Sequence, residues 1–249
     1  MPGFLKHRLW GDRGRWGLEI DESDRDWQEW LTAYQGFYKA NQRSGFGEVV
    51  NEAGYKVMSG LDLGGKRVLE IGAGDIRHLK FLKGTPEQYI LADISDHMMR
   101  LAQESLSKRG IRHETLMIAR NEPLPLQDAS VDVVVSFYSL EHLYPLSPYL
   151  RDIHRVLRPG GLLIGAIPTE GGLAWGLGRY LTSRRWLKKH TKITPDKIIC
   201  WEHPNFADEI LHEMDCTFAR VSVKYWPFLW LRLIDPNLIV QFVYRKSEK

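Results

Sequence analysis

The chain has 249 residues, 43% of them hydrophobic and 26% charged, so it can bury a sizeable core and is neither collagenous, coiled-coil nor disordered. Its 34 basic and 31 acidic residues leave a net charge of +3, too close to balance to argue for nucleic acid. Only Cys200 and Cys216 are present, which excludes a disulfide framework and a multi-cysteine zinc site, suits a reducing compartment and leaves a single bridge between them open. Met1 to Trp10 lacks the apolar run of a signal peptide, and no stretch approaches the roughly 18 apolar residues of a membrane span. A cytoplasmic protein is expected, with a peripheral place at a membrane left open.

From Asp21 to Asn41 the aromatics Trp27, Trp30, Tyr34, Phe37 and Tyr38 recur every three or four residues and share one helical face. A second helix is predicted over Glu48 to Met58. The apolar run Arg67 to Ile71, the turn from Gly72 and the recurring Ile76, Leu79 and Leu82 predict a strand, a glycine turn and a helix. Next come a strand over Gln88 to Ala92 ending in Asp93, and a helix capped by Ser95. Strands are predicted at His113 to Ala119 and Val131 to Phe137, then a helix from about Pro148 to Leu157. A turn at Arg158 to Gly161 leads to a fifth strand, Leu162 to Ile167. After Pro168 the rhythm stops until a helix near Phe206 to Met214 and strands near Thr217 to Tyr225 and Leu238 to Tyr244. Alternating strands and helices predict an α/β fold with a parallel sheet and a ligand beyond the strands' carboxyl ends.

The chemistry-bearing stretch is Val68-Leu69-Glu70-Ile71-Gly72-Ala73-Gly74-Asp75. Small residues at the end of a parallel strand let a ligand approach the backbone, and a carboxylate there accepts hydrogen bonds. Asp93, at the next strand end about twenty residues on, has the place of an acid that grips a ribose through its hydroxyls. A dinucleotide site would need a third glycine where Arg77 stands. A nucleoside without a pyrophosphate fits better, which argues against a nicotinamide dehydrogenase.

These residues, with Leu91-Ala92-Asp93-Ile94-Ser95, Leu124-Pro125, Val131-Asp132-Val133-Val134, Leu140-Glu141-His142-Leu143 and Leu157-Arg158-Pro159-Gly160-Gly161, resemble the motifs of class I S-adenosylmethionine-dependent methyltransferases of the small-molecule type. The resemblance covers roughly Leu63 to Pro168. It implies a Rossmann-like, doubly wound seven-stranded sheet, mainly parallel with an antiparallel last strand, for which Leu238 to Tyr244 is the candidate. N-terminal helices and an inserted helical segment would be added to it. It divides the chain into a helical lid (1–60), a cofactor-binding core (61–168), an acceptor-binding insertion (169–204) and a C-terminal helix and strand pair (205–249).

Carried over, the resemblance implies S-adenosyl-L-methionine as cofactor and S-adenosyl-L-homocysteine as product. Glu70, Gly72, Ala73 and Gly74 would meet the methionyl end, Asp93 the ribose, Ile94 and Met98 the adenine, and Phe137 and Leu140 would line the cleft. The usual acid near the adenine amino group is replaced by Arg120, so Asn121 or Glu122 is expected to substitute. Methyl transfer needs two reactants held in line rather than a protein nucleophile, and an oxygen acceptor is helped by a nearby base. His142 is the first candidate and His203, in Trp201-Glu202-His203-Pro204, the second. Related quinone-pathway enzymes place a third acid, with the Glu-His pair, around a metal; here Tyr138 stands in its position, so no metal is expected.

The acceptor is read by additions over the strand ends: Tyr34 and Tyr38 from the lid, and Trp175, Arg179 and Tyr180 from the insertion. The basic run from Arg179 to Lys192 suits an anionic acceptor such as a phosphorylated sugar or a lipid-linked glycan. O-methylation of a sugar or glycan-type acceptor, in carbohydrate biosynthesis, is the leading expectation. N-methylation of an amino sugar, methylation of a quinone-like aromatic, and an S-adenosylmethionine-binding sensor or inactive heterodimer partner are the alternatives. DNA is not expected, and oligomeric state is not legible.

Overall fold

The first strand of the chain, β1 (Arg67–Ile71), lies inside the sheet, and its four residues from Val68 onward are each at most 5% exposed. Its largely apolar run follows from that place, because both of its faces are covered. The computed structural model describes residues 3–41 and 45–248, and the side chains of all of these except 3–6, 39 and 41. Met1, Pro2 and residues 42–44, all within the expected lid, lie outside the described residues, as does Lys249.

Around β1 run β2 (Gln88–Asp93), β3 (His113–Met117), β4 (Val131–Phe137), β5 (Leu157–Pro168), β6 (Ala219–Trp226) and β7 (Ile239–Arg245), in the order β3-β2-β1-β4-β5-β7-β6. The first five are parallel, and β7 is antiparallel to both β5 and β6. The expected seven-stranded, doubly wound sheet with a reversed last strand is present. β1 lies between β2 and β4, so the chain reverses direction across the sheet there and opens a crevice above the carboxyl ends of these strands.

Helices α1 (Gly3–Trp10), α2 (Arg13–Trp16), α3 (Arg25–Asn41) and α4 (Gly45–Tyr55) precede the sheet. They are followed by α5 (Asp96–Ser107), α6 (Leu146–Val156), α7 (Leu173–Leu181), α8 (Ser183–His190), α9 (Pro195–Glu202) and α10 (Ala207–Thr217). One face of the sheet buries Leu150 and Ile153 of α6 with Ile210 and Met214 of α10. The other buries Val50 of α4, Met58, and Ala102 and Leu106 of α5.

Two expectations are corrected. The helix expected after the glycine turn is a short 3₁₀ segment, Arg77–Phe81; Ile76 has φ 46°, a left-handed conformation costly for a branched side chain that stops α-helical propagation. The turn expected at Arg158 to Gly161 is an irregular start of β5, which pairs Leu157 with Val131 and then Leu162 with Val133. Cys200 is buried and Cys216 exposed, both as free thiols.

Helix α3 shares a separate core with α8 and α9, and together they form a cap. Trp27 and Trp30 of α3 are buried with Leu187, Ile193, Ile198, Cys200 and Trp201. Trp27 meets Trp201 edge-on at 6.3 Å, and Phe37 meets Trp186 at 5.4 Å. Trp30 Nε1 donates to Glu202 at 2.7 Å, and Trp201 Nε1 to the Trp16 carbonyl at 3.0 Å, so the indoles bury area without orphaning their N–H groups. α4 is fastened to the sheet by Arg77 on Glu48 at 2.6 Å, by Lys80 on Glu52 at 2.7 Å, and by the Tyr138 hydroxyl donating to the Asn51 carbonyl at 2.8 Å.

Candidate active site

The loop after β1 turns because Gly72 and Gly74 hold φ 67° and 54°, which L side chains rarely adopt. Gly72 also has no room: a Cβ there would lie 2.6 Å from Ser139 Cβ. Its N–H donates to the Ala92 carbonyl at 2.8 Å, which ties the loop to the end of β2. Asp93 accepts from Ser95 N at 2.8 Å and also from the backbone of Gly74 and Ile94. Burial nevertheless lifts its carboxyl above the usual range. Tyr38 closes the loop from above, its hydroxyl 3.8 Å from where a Cβ on Gly74 would sit. A turn of small residues beside a carboxylate mostly removed from water suits an adenosyl ligand, with backbone N–H groups and a hydroxyl-gripping acid presented together.

Several residues expected around that ligand take other places. Glu70 is 1% exposed and turned inward, accepting from the Tyr89 hydroxyl at 2.5 Å, with His78 Nε2 at 3.3 Å; it supports the loop from beneath. Phe137, expected in the cleft, packs on Tyr55 at 5.1 Å and His78 at 4.8 Å, and Leu140 is fully buried in the core on the α6 side. Both follow from the continuous burial of β4 and the 3₁₀ turn after it. Ala73 is buried, Met98 half-buried and Ile94 53% exposed. Asn121 is exposed with φ 59°, held to Tyr149 of α6 through its N–H at 2.7 Å. Arg120 instead reaches the cap, 5.5 Å over Trp27.

Across the crevice, Glu141 is 1% exposed and its Oε2 has no hydrogen-bond partner among the described residues. Burial pushes its carboxyl up to about 7, against the pull of His142 and Arg179. His142 Nε2 is 3.9 Å from Glu141 Oε1, and its Nδ1 lies 3.4 Å from Glu202 Oε2 and against the Glu202 carbonyl. The His142 and His203 rings stand 4.7 Å apart. Tyr34 joins the two sides: its phenol is held above the usual range by burial and by the carboxylates of Glu202, Asp93 and Glu141 together with Tyr38. Tyr34 and Tyr38 of α3 stack at 5.9 Å.

The insertion residues converge on an acid that the sequence motifs do not single out. Glu170, two residues past β5, is fully buried. It accepts from Arg179 Nη1 at 2.8 Å, from Arg179 Nη2 and from Trp175 Nε1 at 2.9 Å, with His203 Nδ1 at 3.1 Å. Burial alone would raise it, but Arg179 and His203 outweigh burial and hold it at about 2. His203 is driven down to about 3 by burial and by Arg179, so the second candidate base sits in a structural cluster. Arg13 braces it, donating to the His203 carbonyl at 2.9 Å and to that of Pro204. Arg179 is therefore neutralised internally, Arg184 is paired with Asp196, and Tyr180 faces Arg184 at 5.8 Å. Only the placement of Glu170 close behind a strand-ending proline could have signalled it. Among the described residues no group of three or more His, Cys, Asp or Glu is placed to hold a metal ion.

The family described as Methyltransferase domain matches residues 69–165. A Mycolicibacterium smegmatis protein named a probable S-adenosylmethionine-dependent methyltransferase is 34% identical over 106 residues, covering 43% of this chain and 39% of that protein. The ubiquinone/menaquinone biosynthesis C-methyltransferase UbiE of a Marinomonas species is 36% identical over 105 residues, covering 40% of this chain and 41% of that protein. The chain thus spans about two fifths of the length of these curated relatives. Among solved structures, the PH0226 protein of Pyrococcus horikoshii superposes with a TM-score of 0.58 at 17% identity, covering 87% of this chain and 99% of that one; at that identity the likeness concerns the fold alone.

Proposed function

We propose that this chain, whose residues 69–165 match the family described as Methyltransferase domain, is a class I S-adenosylmethionine-dependent methyltransferase that transfers a methyl group to a small-molecule acceptor lying between that domain and its helical cap. The observation that carries the reading is the pairing of two unlike acids at the strand ends. Asp93 lies beside the Gly72–Gly74 turn, and Glu141, whose Oε2 has no hydrogen-bond partner among the described residues, acts with Asp93 on the same Tyr34 phenol. S-adenosylmethionine, when bound, supplies a methyl group on a positively charged sulfur. Gly72, Ala73, Gly74 and Asp93 would hold it, and Tyr38 would close over the turn.

The acceptor must lose a proton as its bond to the methyl group forms, whether that bond is to oxygen or to carbon. Glu141 is the group we assign to receive it. A carboxyl at about 7 is half ionised near neutrality, and burial makes its oxygen a stronger proton acceptor than an ordinary carboxylate. His142, more exposed and 3.9 Å away, passes the proton outward. His203 is left to the Glu170 cluster, which fixes the wall of the acceptor space.

We take the acceptor to be a hydroxyl-bearing small molecule of sugar or glycan type. Its leading rival is a quinone-like ring methylated at carbon, favoured by the stacked Tyr34 and Tyr38 and by the relatives' names. Internal pairing of Arg179 and Arg184 lessens the case for an anionic group deep in the site. Calorimetry with S-adenosylmethionine and S-adenosylhomocysteine, on the protein and on Asp93→Ala, with NAD as control, tests the donor half. Binding lost in the variant supports it; NAD binding alone overturns it. Mass spectrometry of incubations with sugar and quinol panels tests the other half. Donor binding without any methylated product in either panel would favour a sensor or an inactive partner.

A further inference from the structure

We infer that the loop 227–234, the outer face of α7 and the exposed cations of α8 together form a docking face for the surface of an anionic lipid bilayer. Phe228, Leu229, Trp230 and Leu233 are 42%, 62%, 80% and 56% exposed. A soluble surface tolerates such side chains singly, whereas a cluster of them marks a contact face. The loop is braced to present them. Asn237, fully buried, donates to the carbonyls of Leu231 and Leu233 at 2.8 Å each and accepts from Phe228 N at 2.8 Å. The Phe228 and Trp230 rings meet edge-on at 6.4 Å. Presenting large apolar groups from a fixed loop spares the ordering entropy that binding would otherwise cost.

The apolar surface continues onto the helix that starts against this loop. Leu173 N donates to Asp235 Oδ1 at 3.2 Å and Ala174 N to the Asp235 carbonyl at 2.8 Å. Leu173, Leu177 and Leu181 are 40%, 52% and 52% exposed; four residues apart, they form one line about 12 Å long. Opposite them Trp175 and Arg179 turn inward to Glu170, so the helix is amphipathic with its outer stripe uncovered. Where the stripe ends, α8 begins, exposing Arg185, Lys188 and Lys189. Neither these nor Arg232 of the loop is ion-paired among the described residues. Asp235, the carboxylate at the root of the loop, is engaged by Leu173 N. Exposed Trp, Phe and Leu beside unpaired cations are the composition of an interfacial membrane contact.

A second copy of the chain is the less favoured occupant. A two-fold pairing through this face would bring the same patch against itself, and that patch answers the cations of α8 and Arg232 only with Asp235, which Leu173 N already engages. The inference does not rest on methyl transfer.

Vesicle flotation tests it, with phosphatidylcholine alone and with phosphatidylcholine containing phosphatidylglycerol. The protein is expected to float with the anionic vesicles, more weakly as salt is raised. The triple variant Arg185→Gln, Lys188→Gln, Lys189→Gln should lose about fivefold affinity per cation, on the order of a hundredfold in all. The double variant Leu229→Ser, Trp230→Ser should lose at least about tenfold, with an unchanged thermal midpoint and unchanged S-adenosylmethionine binding as folding controls. Absence of wild-type binding to anionic vesicles, or wild-type binding by both variants, would overturn the inference. So would light scattering in which the double variant converts a dimer to a monomer while vesicle binding stays as it was.

Discussion

Replacing Glu141 by glutamine keeps the side chain's shape but removes its proton site, and the consequence can be worked from burial. The carboxyl is raised from an ordinary 4.5 to about 7, and at about 1.4 kcal/mol per tenfold this penalises the ionised form by about 3 kcal/mol in the folded protein. Because the folded value is the higher one, the native state binds more protons than the unfolded chain between these limits. Stability should therefore fall as pH rises from 4.5 through about 7. Below the window the wild type and Glu141→Gln should differ little on this account; above it the variant should gain about 3 kcal/mol relative to the wild type. Urea denaturation of both proteins from about pH 4 to about pH 8, taken as a difference, cancels the other titrating groups. If Glu141 also receives the acceptor's proton, the stabilised variant should lose about a hundredfold or more in turnover while S-adenosylhomocysteine affinity holds. Parallel stability curves across the window would refute the burial argument, and full turnover in the variant would remove Glu141 from the chemistry.

Glu170→Gln leaves Arg179 buried without its counter-charge and should cost about 3–5 kcal/mol in urea unfolding. Since Glu170 is held at about 2, its contribution in the wild type should be complete above the ordinary 4.5 and lost as pH falls toward about 2. A loss under about 1 kcal/mol would show that the cluster around it repacks. Gly72→Ala combines φ 67° with a Cβ 2.6 Å from Ser139 Cβ, whereas Gly74→Ala meets nothing nearer than Tyr38 Oη at 3.8 Å. Thermal melts should show the first to be the more damaging, with the second near the left-handed penalty of about 1–2 kcal/mol; the reverse order would contradict the turn geometry. Burial drives the Cys200 thiol up to about 11, so a thiol-titrating disulfide reagent at neutral pH should label Cys216 promptly and Cys200 only on unfolding. Two fast equivalents would place Cys200 outside the cap core.

The sheet is legible in the sequence because its signals are local. A continuous run such as Val131 to Phe137 needs cover on both faces, and the small residues after Ile71 allow a sharp turn, so the strands, the turn at Gly72 and Gly74 and the acid Asp93 at the next strand end follow from adjacent positions. The missing helix after Gly74 is not legible. Ile76, Leu79 and Leu82 have helical spacing, but the left-handed φ of Ile76 confines the segment to a 3₁₀ turn. Side-chain direction after β4 escapes the sequence for a related reason, since position along the chain puts Phe137 and Leu140 near the cleft without saying that each packs into a different core cluster.

Sequence by itself determined the alternating α/β order, the glycine turn with its acid partner, and an aromatic helical face on α3. Only the tertiary structure decided what that face meets. The cap core joins Trp27 to Trp201, and the site cluster joins Glu170 to His203, across stretches of chain that no periodicity encodes. Whether a charged side chain acts on a ligand or is neutralised internally depends on such partners. Arg179 looks free in sequence and is paired in the fold, while Glu141 stands in sequence as half of a Glu-His pair and in the fold is buried with its Oε2 unpartnered among the described residues. Burial and pairing are properties of the surroundings a residue finds, and those surroundings exist only once distant segments have packed together.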